Sequence, residues 1–449
     1  MSYRDLNRDL KLLFWSIFLW SFGQGLYNFL WPNYVLELGA SPVTLGSLFS
    51  LAFFIATLSS LPGGYLADHF DRRAVMIAGW LVALPAPVLY GLAPDWRWLV
   101  PGIFLFFVSF FCNSATQAYV AGAAQKERLT GVYNLVFSSF PLGMVFSPAL
   151  GGYLAELWGM RAVFFLATAF MTASTVLLFF LSPQRANGPA GALELAKRNS
   201  ASSSTSFEQG LDTTAPFNNP SRSFSRSFGK LATGESKWSR GGVLRHWVEL
   251  LVGDLGLWIR LLPAMTFFGF LVGILTLISS FSSPFLQDVS GLDKAWIGLL
   301  GSINALGSGL IAPPFGHLAD RIGKAKAMAL GMSIYGVVLL AFVFWPASLF
   351  LLSLNFFLRG FGDALRGIMN STVGEAAPDG QAGRAFALFN IVTGVGSMIF
   401  PYFGGLLYNW APRHPFWITG ALLLFGAFLV WYRERQGKKR LVRNRIFKE

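Results

Sequence analysis

Long apolar runs recur along the chain, separated by short polar stretches. The apolar positions do not alternate with polar ones, as they would in strands or in a membrane β-barrel, so the pattern predicts helices. A run of about 18 or more such residues crosses a bilayer as a helix. Twelve spans are predicted, near 12–36, 43–67, 75–94, 98–123, 131–155, 161–182, 261–286, 293–319, 325–345, 347–376, 383–409 and 414–432. Pro32, Pro148, Pro284, Pro313 and Pro401 fall inside these runs. Membrane helices tolerate such prolines, which mark kinks or close packing.

The pattern changes between spans six and seven. Pro183 to Arg260 includes "NSASSSTSF" and "NPSRSFSRSFGK", a Ser-rich, charged composition that cannot bury a core and predicts disorder. Its last stretch, "VLRHWVELLVGDLGLWIR", predicts an amphipathic helix on the membrane surface. The expected organisation is therefore an N-terminal six-helix bundle (1–182), a Ser-rich linker (183–260), a C-terminal six-helix bundle (261–432) and a basic tail (433–449).

Charge adds orientation. The net charge is +13, which in a soluble protein would suggest nucleic acid. Here the cations gather in alternate loops: Arg4, Arg8 and Lys11, then Arg72 and Arg73, Lys126 and Arg128, the linker, Arg321, Lys324 and Lys326, Arg384 and the tail. The opposite loops carry Arg97, Arg161, Lys294 and Arg413. The positive-inside rule then places both termini and the linker in the cytoplasm of a multi-pass plasma (cell inner) membrane protein, with the lipid bilayer as partner and no nucleic acid. The single cysteine, Cys112, excludes an internal disulfide, and the four histidines show no metal-ligand spacing, so no metal or cofactor is expected.

The chain repeats itself. Asp68 and Asp320 lie 252 positions apart, and the same offset links Pro32 to Pro284, Gly39 to Gly291, Gly46 to Gly298, Pro62 to Pro314 and Gly64 to Gly316. At an offset of 253, "GMVFSPALGG" matches "GSMIFPYFGG" in Gly143 and Gly396, Pro148 and Pro401, Gly151 and Gly404, and Gly152 and Gly405. Two copies of six spans insert in the same orientation, an architecture of transporters with the site between the halves.

At these residues the chain resembles the major facilitator superfamily. The carrying motif is Gly64, Asp68, Arg72 and Arg73 between spans two and three, echoed by Gly316, Asp320, Arg321 and Lys324 between spans eight and nine. The resemblance covers all twelve spans. It implies an all-α integral membrane fold of twelve transmembrane helices in two six-helix bundles, and a gating role for this motif. A second motif on span five, Gly143, Pro148, Gly151 and Gly152, resembles that of the family's drug:proton antiporters, with Ser147 where the family usually has Gly. The span-four Arg common in proton-coupled members is absent, and a charged element stands instead in span ten, "LRGFGDALRG".

Polar groups within spans usually face the bundle interior or a water-filled cavity. Gln24, Asn28 and Trp31 share a face of span one, and Asn113 and Gln117 a face of span four. The resemblance places spans 1, 4, 7 and 10 around a central cavity, so these residues are substrate-binding candidates, with packing by interhelical hydrogen bonds as the alternative. On span ten, Asn355, Arg359, Asp363, Arg366 and Asn370 follow a helical stripe. Arg359 and Arg366 are expected to bind substrate or to pair with Asp363, the candidate proton-coupling residue. A self-satisfied structural ion cluster is the alternative.

The expected function is secondary transport of a small molecule by alternating access: proton-coupled efflux of amphipathic compounds by a monomer. One alternative is an importer or facilitator of a small polar solute or organic anion. Another is a non-transporting receptor of the same fold. The sequence shows no nucleophile–base grouping or metal cluster, which argues against a membrane enzyme, and no phosphate-binding loop, which argues against ATP-driven transport.

Overall fold

The computed structural model describes residues 3–124, 129–184, 255–376 and 382–446. The Ser-rich part of the linker, its expected amphipathic helix up to Asp254, and Lys126 and Arg128 lie outside these residues. The described residues are almost entirely helical, without a β-strand.

Among them, nine helical stretches are long and apolar enough to cross a membrane. One, Gly131–Leu178, holds two spans. The chain reverses at Gly159, whose φ of 79° suits a residue without Cβ. On one side of that turn Gly151 packs on Leu26, and on the other Ser174 exchanges hydrogen bonds with Ser16 (2.8 and 2.6 Å), so both limbs flank span one in opposite directions. The two remaining spans are each broken into two helical segments. Span one is Arg8–Asn28 followed by Trp31–Glu37, and span ten is Leu349–Leu358 followed by Gly360–Ala376. Twelve crossings result. Span seven, Leu255–Asp288, begins earlier than its apolar run, and span twelve, His414–Ile446, continues through the basic segment.

The repeat is written into the turns. Spans one and two join through Gly39 (φ 85°), spans seven and eight through Gly291 (φ 66°). Two residues on, Ser41 Oγ accepts from Thr44 N (3.1 Å) and Asp293 Oδ1 from Trp296 N (2.9 Å), capping spans two and eight. Equivalent positions thus perform equivalent work with different side chains.

The halves meet most closely at the end that carries Glu37 and Lys294, here termed the far end; the opposite end is the basic end. A Cβ on Gly298 would lie 2.3 Å from Pro148 O, and one on Gly46 would lie 2.3 Å from Pro401 O. Gly152 abuts Lys294 and Gly298, while Gly405 abuts Pro42 and Val43. Spans five and eight therefore close on each other just as spans eleven and two do. Within each half, Gly143 and Gly151 seat span five on Ser21 and Leu26 of span one, and Gly396 and Gly404 seat span eleven on Gly269 and Leu277 of span seven. In these packing motifs small residues admit close backbone approach within a half and between halves. Ser147, the departure from the family pattern, turns its hydroxyl back onto Gly143 O (2.8 Å) and fills the space facing Gly25.

Polar ties reinforce the far end. Asn33 on span one bonds to Gln287, to Ser283 Oγ and, at 3.2 Å, to Ser283 O on span seven. Lys294 pairs with Glu37 at 2.9 Å, and its backbone N–H donates to Glu156 at 3.3 Å. Ser302 Oγ accepts from Ala149 N at 2.9 Å. At the basic end, by contrast, a separate buried cluster (Leu10, Leu13, Met76, Tyr119, Val132) belongs to the N-terminal half alone. There a Cβ on Gly64 or on Gly316 would meet nothing within 4 Å.

Candidate functional site

A cavity of about 430 Å³ lies between the halves on the basic side of this seal. That volume suits a small organic molecule. Span one contributes Gln24, Asn28 and Trp31, so all three of its sequence candidates line the cavity. Phe49 and Phe53 of span two and Phe106, Phe107 and Phe110 of span four form an aromatic wall. Across from it stand Ser279 and Ser280 of span seven, Asn304 of span eight, Tyr335 of span nine, and Arg359, Asp363 and Arg366 of span ten.

Asn113 and Gln117 do not line this cavity. Both are exposed, on turns of span four that continue from Phe110 toward the basic end. The short 3-10 segment Ser109–Phe111, which carries Phe110, separates them from Phe106 and Phe107.

Span ten departs from the expected continuous stripe. Arg359 ends the first helical segment, and Gly362 N reaches back to Arg359 O at 2.8 Å, a tighter bond than an α-helix makes. The i to i+4 rule that would put Arg359 beside Asp363 assumes an unbroken helix. No salt bridge among the described residues involves Asp363: the expected pairs with Arg359 and Arg366 do not form. Asp363 and Arg366 are exposed to the cavity instead, and Asn355 turns away to donate to Val338 O at 2.6 Å.

Arg359 is held by other means. Its guanidinium lies over Phe356 (4.0 Å to the ring centroid) and near Phe342 (5.3 Å). Its Nη1 donates to Ser282 Oγ at 2.6 Å and its Nε to Asn355 Oδ1 at 3.3 Å. Cation–π contacts and neutral acceptors orient the group without neutralising it.

Asp363 borders a second cavity of about 410 Å³ between spans eight and ten, with Gly316, His317, Asp320, Gly367 and Ser371. Asp320 of the repeated motif thus opens onto the same space as the span-ten carboxylate.

The rest of the motif works within each half. Arg72 Nη1 donates to Ala118 O (3.1 Å) and Gln184 Oε1 (2.9 Å), and Arg73 Nη2 to Phe179 O. Asp71 caps span three through Arg73 N (3.1 Å) and accepts from Gln184 N (2.9 Å). Arg72 and Arg73 therefore tie span three to spans four and six of their own half. The Asp68 side chain lies outside the described residues. In the second copy Arg321 is exposed, while Lys324 pairs with Glu375 at 2.6 Å.

Sequence reasoning missed Asn33, Asn304, Tyr335 and Asp71. Asn33 and Asn304 carried a signal, an amide inside a span. Asp71 carried another, an acidic residue just before a predicted helix.

A family model described as Major Facilitator Superfamily matches residues 13–296 and 264–447. Similar curated proteins include "Multidrug resistance protein MdtG" of Proteus mirabilis (strain HI4320), 23% identical over 449 residues and covering 97% of this chain and 98% of that protein. The protein of the same name from Enterobacter lignolyticus (strain SCF1) is 26% identical, covering 94% and 91%. Among solved structures, the peptide transporter POT in complex with sulfate superposes with a TM-score of 0.71 at 15% identity, covering 97% of this chain and 96% of that one. A mutant of the nucleoside transporter NupG gives 0.67 at 11% identity, covering 94% and 98%.

Proposed function

The chain belongs to the major facilitator superfamily of membrane transporters and is not an enzyme, and from that premise we propose that it exports amphipathic small molecules by proton-coupled alternating access. The observation that carries the reading is the cavity between the halves, walled by phenylalanines on one side and polar groups on the other, behind a sealed far end. An amphipathic molecule finds both of its surfaces matched there. The relatives named for multidrug resistance support export as the direction.

In this reading the basic end is cytoplasmic, as are both termini, and the structure represents a state that loads from the cytoplasm. The far-end glycine contacts would part, and the open faces at Gly64 and Gly316 would close, when the halves rock. The repeated motif acts in that second state, where Asp68 and Asp320 would hold the basic end shut. Asp363 supplies coupling. It faces the substrate cavity on one side and the Asp320 cavity on the other, so substrate and proton would compete for influence over one carboxylate. The unit of function in this reading is a monomer.

The two span-ten arginines favour a second reading, an importer or facilitator of an organic anion. One experiment separates the two. Purified protein in liposomes is given an imposed pH gradient, and movement of fluorescent amphiphiles is followed. Export coupled to protons predicts uphill movement that collapses with the gradient. Downhill movement indifferent to the gradient would leave the facilitator.

A further inference from the structure

The central cavity ends in two donors without acceptors. Arg359 is 7% exposed and Trp31 8%, and both line the cavity. Arg359 Nη2 and Trp31 Nε1 are buried and have no hydrogen-bond partner among the described residues. Neither group can accept a hydrogen bond. A buried donor left unmade is costly, and a buried cation without a counter-ion more so. Native structures rarely keep two such groups in one cavity unless something else satisfies them.

Both side chains line the same cavity: Trp31 packs on Phe49 and Tyr90 (5.2 and 6.2 Å), and the Arg359 guanidinium lies on Phe356, which Phe29 of span one meets edge-to-face (5.6 Å). The remaining ionisable lining groups are Arg366, Asp363 and the phenols Tyr27, Tyr90 and Tyr335. Two guanidinium groups against one carboxylate leave the lining net positive. The aromatic wall opposite accepts an apolar body but supplies no anion.

We infer that the cavity is built for a ligand with an apolar, ring-bearing body and an anionic oxygen head group, such as a carboxylate or sulfonate, received by Arg359 Nη2 and Trp31 Nε1. The inference deepens the export reading and rests on it for transport, but not for binding. The head group supplies the acceptor that both donors lack. Ser282, Asn355 and the Phe356 ring hold Arg359 rigidly, so little order is lost when the anion arrives. Binding a cationic amphiphile would bring like charge against Arg359 and leave both donors unmade.

The test uses three probes that share one fluorophore: dansylglycine (anionic), dansylglycinamide (neutral) and dansylcadaverine (cationic). Full-length protein in a neutral detergent is titrated with each. Dansylglycine should bind about tenfold or more tighter than the amide, the gain expected of a charge-assisted hydrogen bond, and dansylcadaverine should bind weakest. Arg359→Gln should bring dansylglycine down to the amide's affinity while the amide changes little. Arg359→Lys should fall between them, since it keeps charge without the fork. Trp31→Phe should weaken dansylglycine and dansylglycinamide, whose head groups each end in a carbonyl or carboxylate oxygen. Equal binding of all three probes, a preference for dansylcadaverine, or an anion preference that survives Arg359→Gln overturns the inference. Should Arg359→Gln fail to fold, the wild-type order of the three probes decides. An anion preference without flux in liposomes overturns the export reading and leaves the ligand class standing. Flux without anion preference does the reverse.

Discussion

Gly298 of span eight packs against Pro148 of span five so closely that a Cβ on the glycine would lie 2.3 Å from the proline carbonyl oxygen. The neighbouring atoms are backbone, including Gly152 Cα at 2.8 Å, so they cannot swing aside as a side chain would. Gly298→Ala should therefore penalise the sealed far end, with overpacking costs of about 1–3 kcal/mol. The state with the far end open escapes that cost. Ser302→Cys, buried at the same seam, reports the change, because the only native cysteine, Cys112, is itself buried. Impermeant maleimide should label Ser302→Cys about tenfold faster in the Gly298→Ala background. An unchanged rate would show that the seam relaxes around a methyl group.

The Glu37–Lys294 pair contributes to the same seal more weakly. Its side chains remain 34% and 25% exposed, and pairs of this kind contribute about 0.2–1 kcal/mol. Neutralising either partner should raise labelling of Ser302→Cys by about two- to fivefold, and high salt should have a similar effect on Ser302→Cys with the pair intact. Reversing both charges together should restore most of the seal. If the double reversal labels as fast as the single variants, the residues act separately.

The twelve crossings were legible because each carries its own apolar run and its own turn chemistry. Gly39 and Gly291 mark equivalent turns, and Ser41 and Asp293 equivalent caps, all within a few residues of the elements they define. The 252-residue offset disclosed more than homology between halves, since Gly46 and Gly298 turned out to seal equivalent seams. Partner choice was not legible. Periodicity tells which residues share a face, not which helix that face meets, so Asn33 gave no sign of Ser283 some 250 residues away. The span-ten stripe failed for a local reason: the tight turn at Arg359 breaks the register on which the pairing with Asp363 depended.

Asp68→Asn should reduce turnover at least about tenfold while leaving ligand affinity and folding close to wild type. In this structure Gly64 and Gly316 at the basic end face open space. A residue that acts when that end closes changes state populations rather than the loaded cavity. Asp320→Asn should be milder, because Arg72 and Arg73 knit the first motif to spans four and six, whereas Arg321 is exposed in the second. Proteoliposome flux and probe titration on the same samples separate the two quantities. Wild-type flux in well-folded Asp68→Asn protein would remove the gating role.

Asp363→Asn should uncouple transport from the proton gradient. Asp363 borders both cavities and has no cationic partner within salt-bridge distance among the described residues, so its charge is not fixed by a neighbour. The Asp363 carboxylate opposes the binding of an anionic head group at Arg359, and Asp363→Asn removes that charge from the lining, so the variant should bind dansylglycine more tightly than wild type does. Gradient-driven accumulation should be lost while downhill exchange persists. Retained uphill transport with an unchanged pH profile would falsify the coupling role and leave the carboxylate as a polar lining group between two cavities.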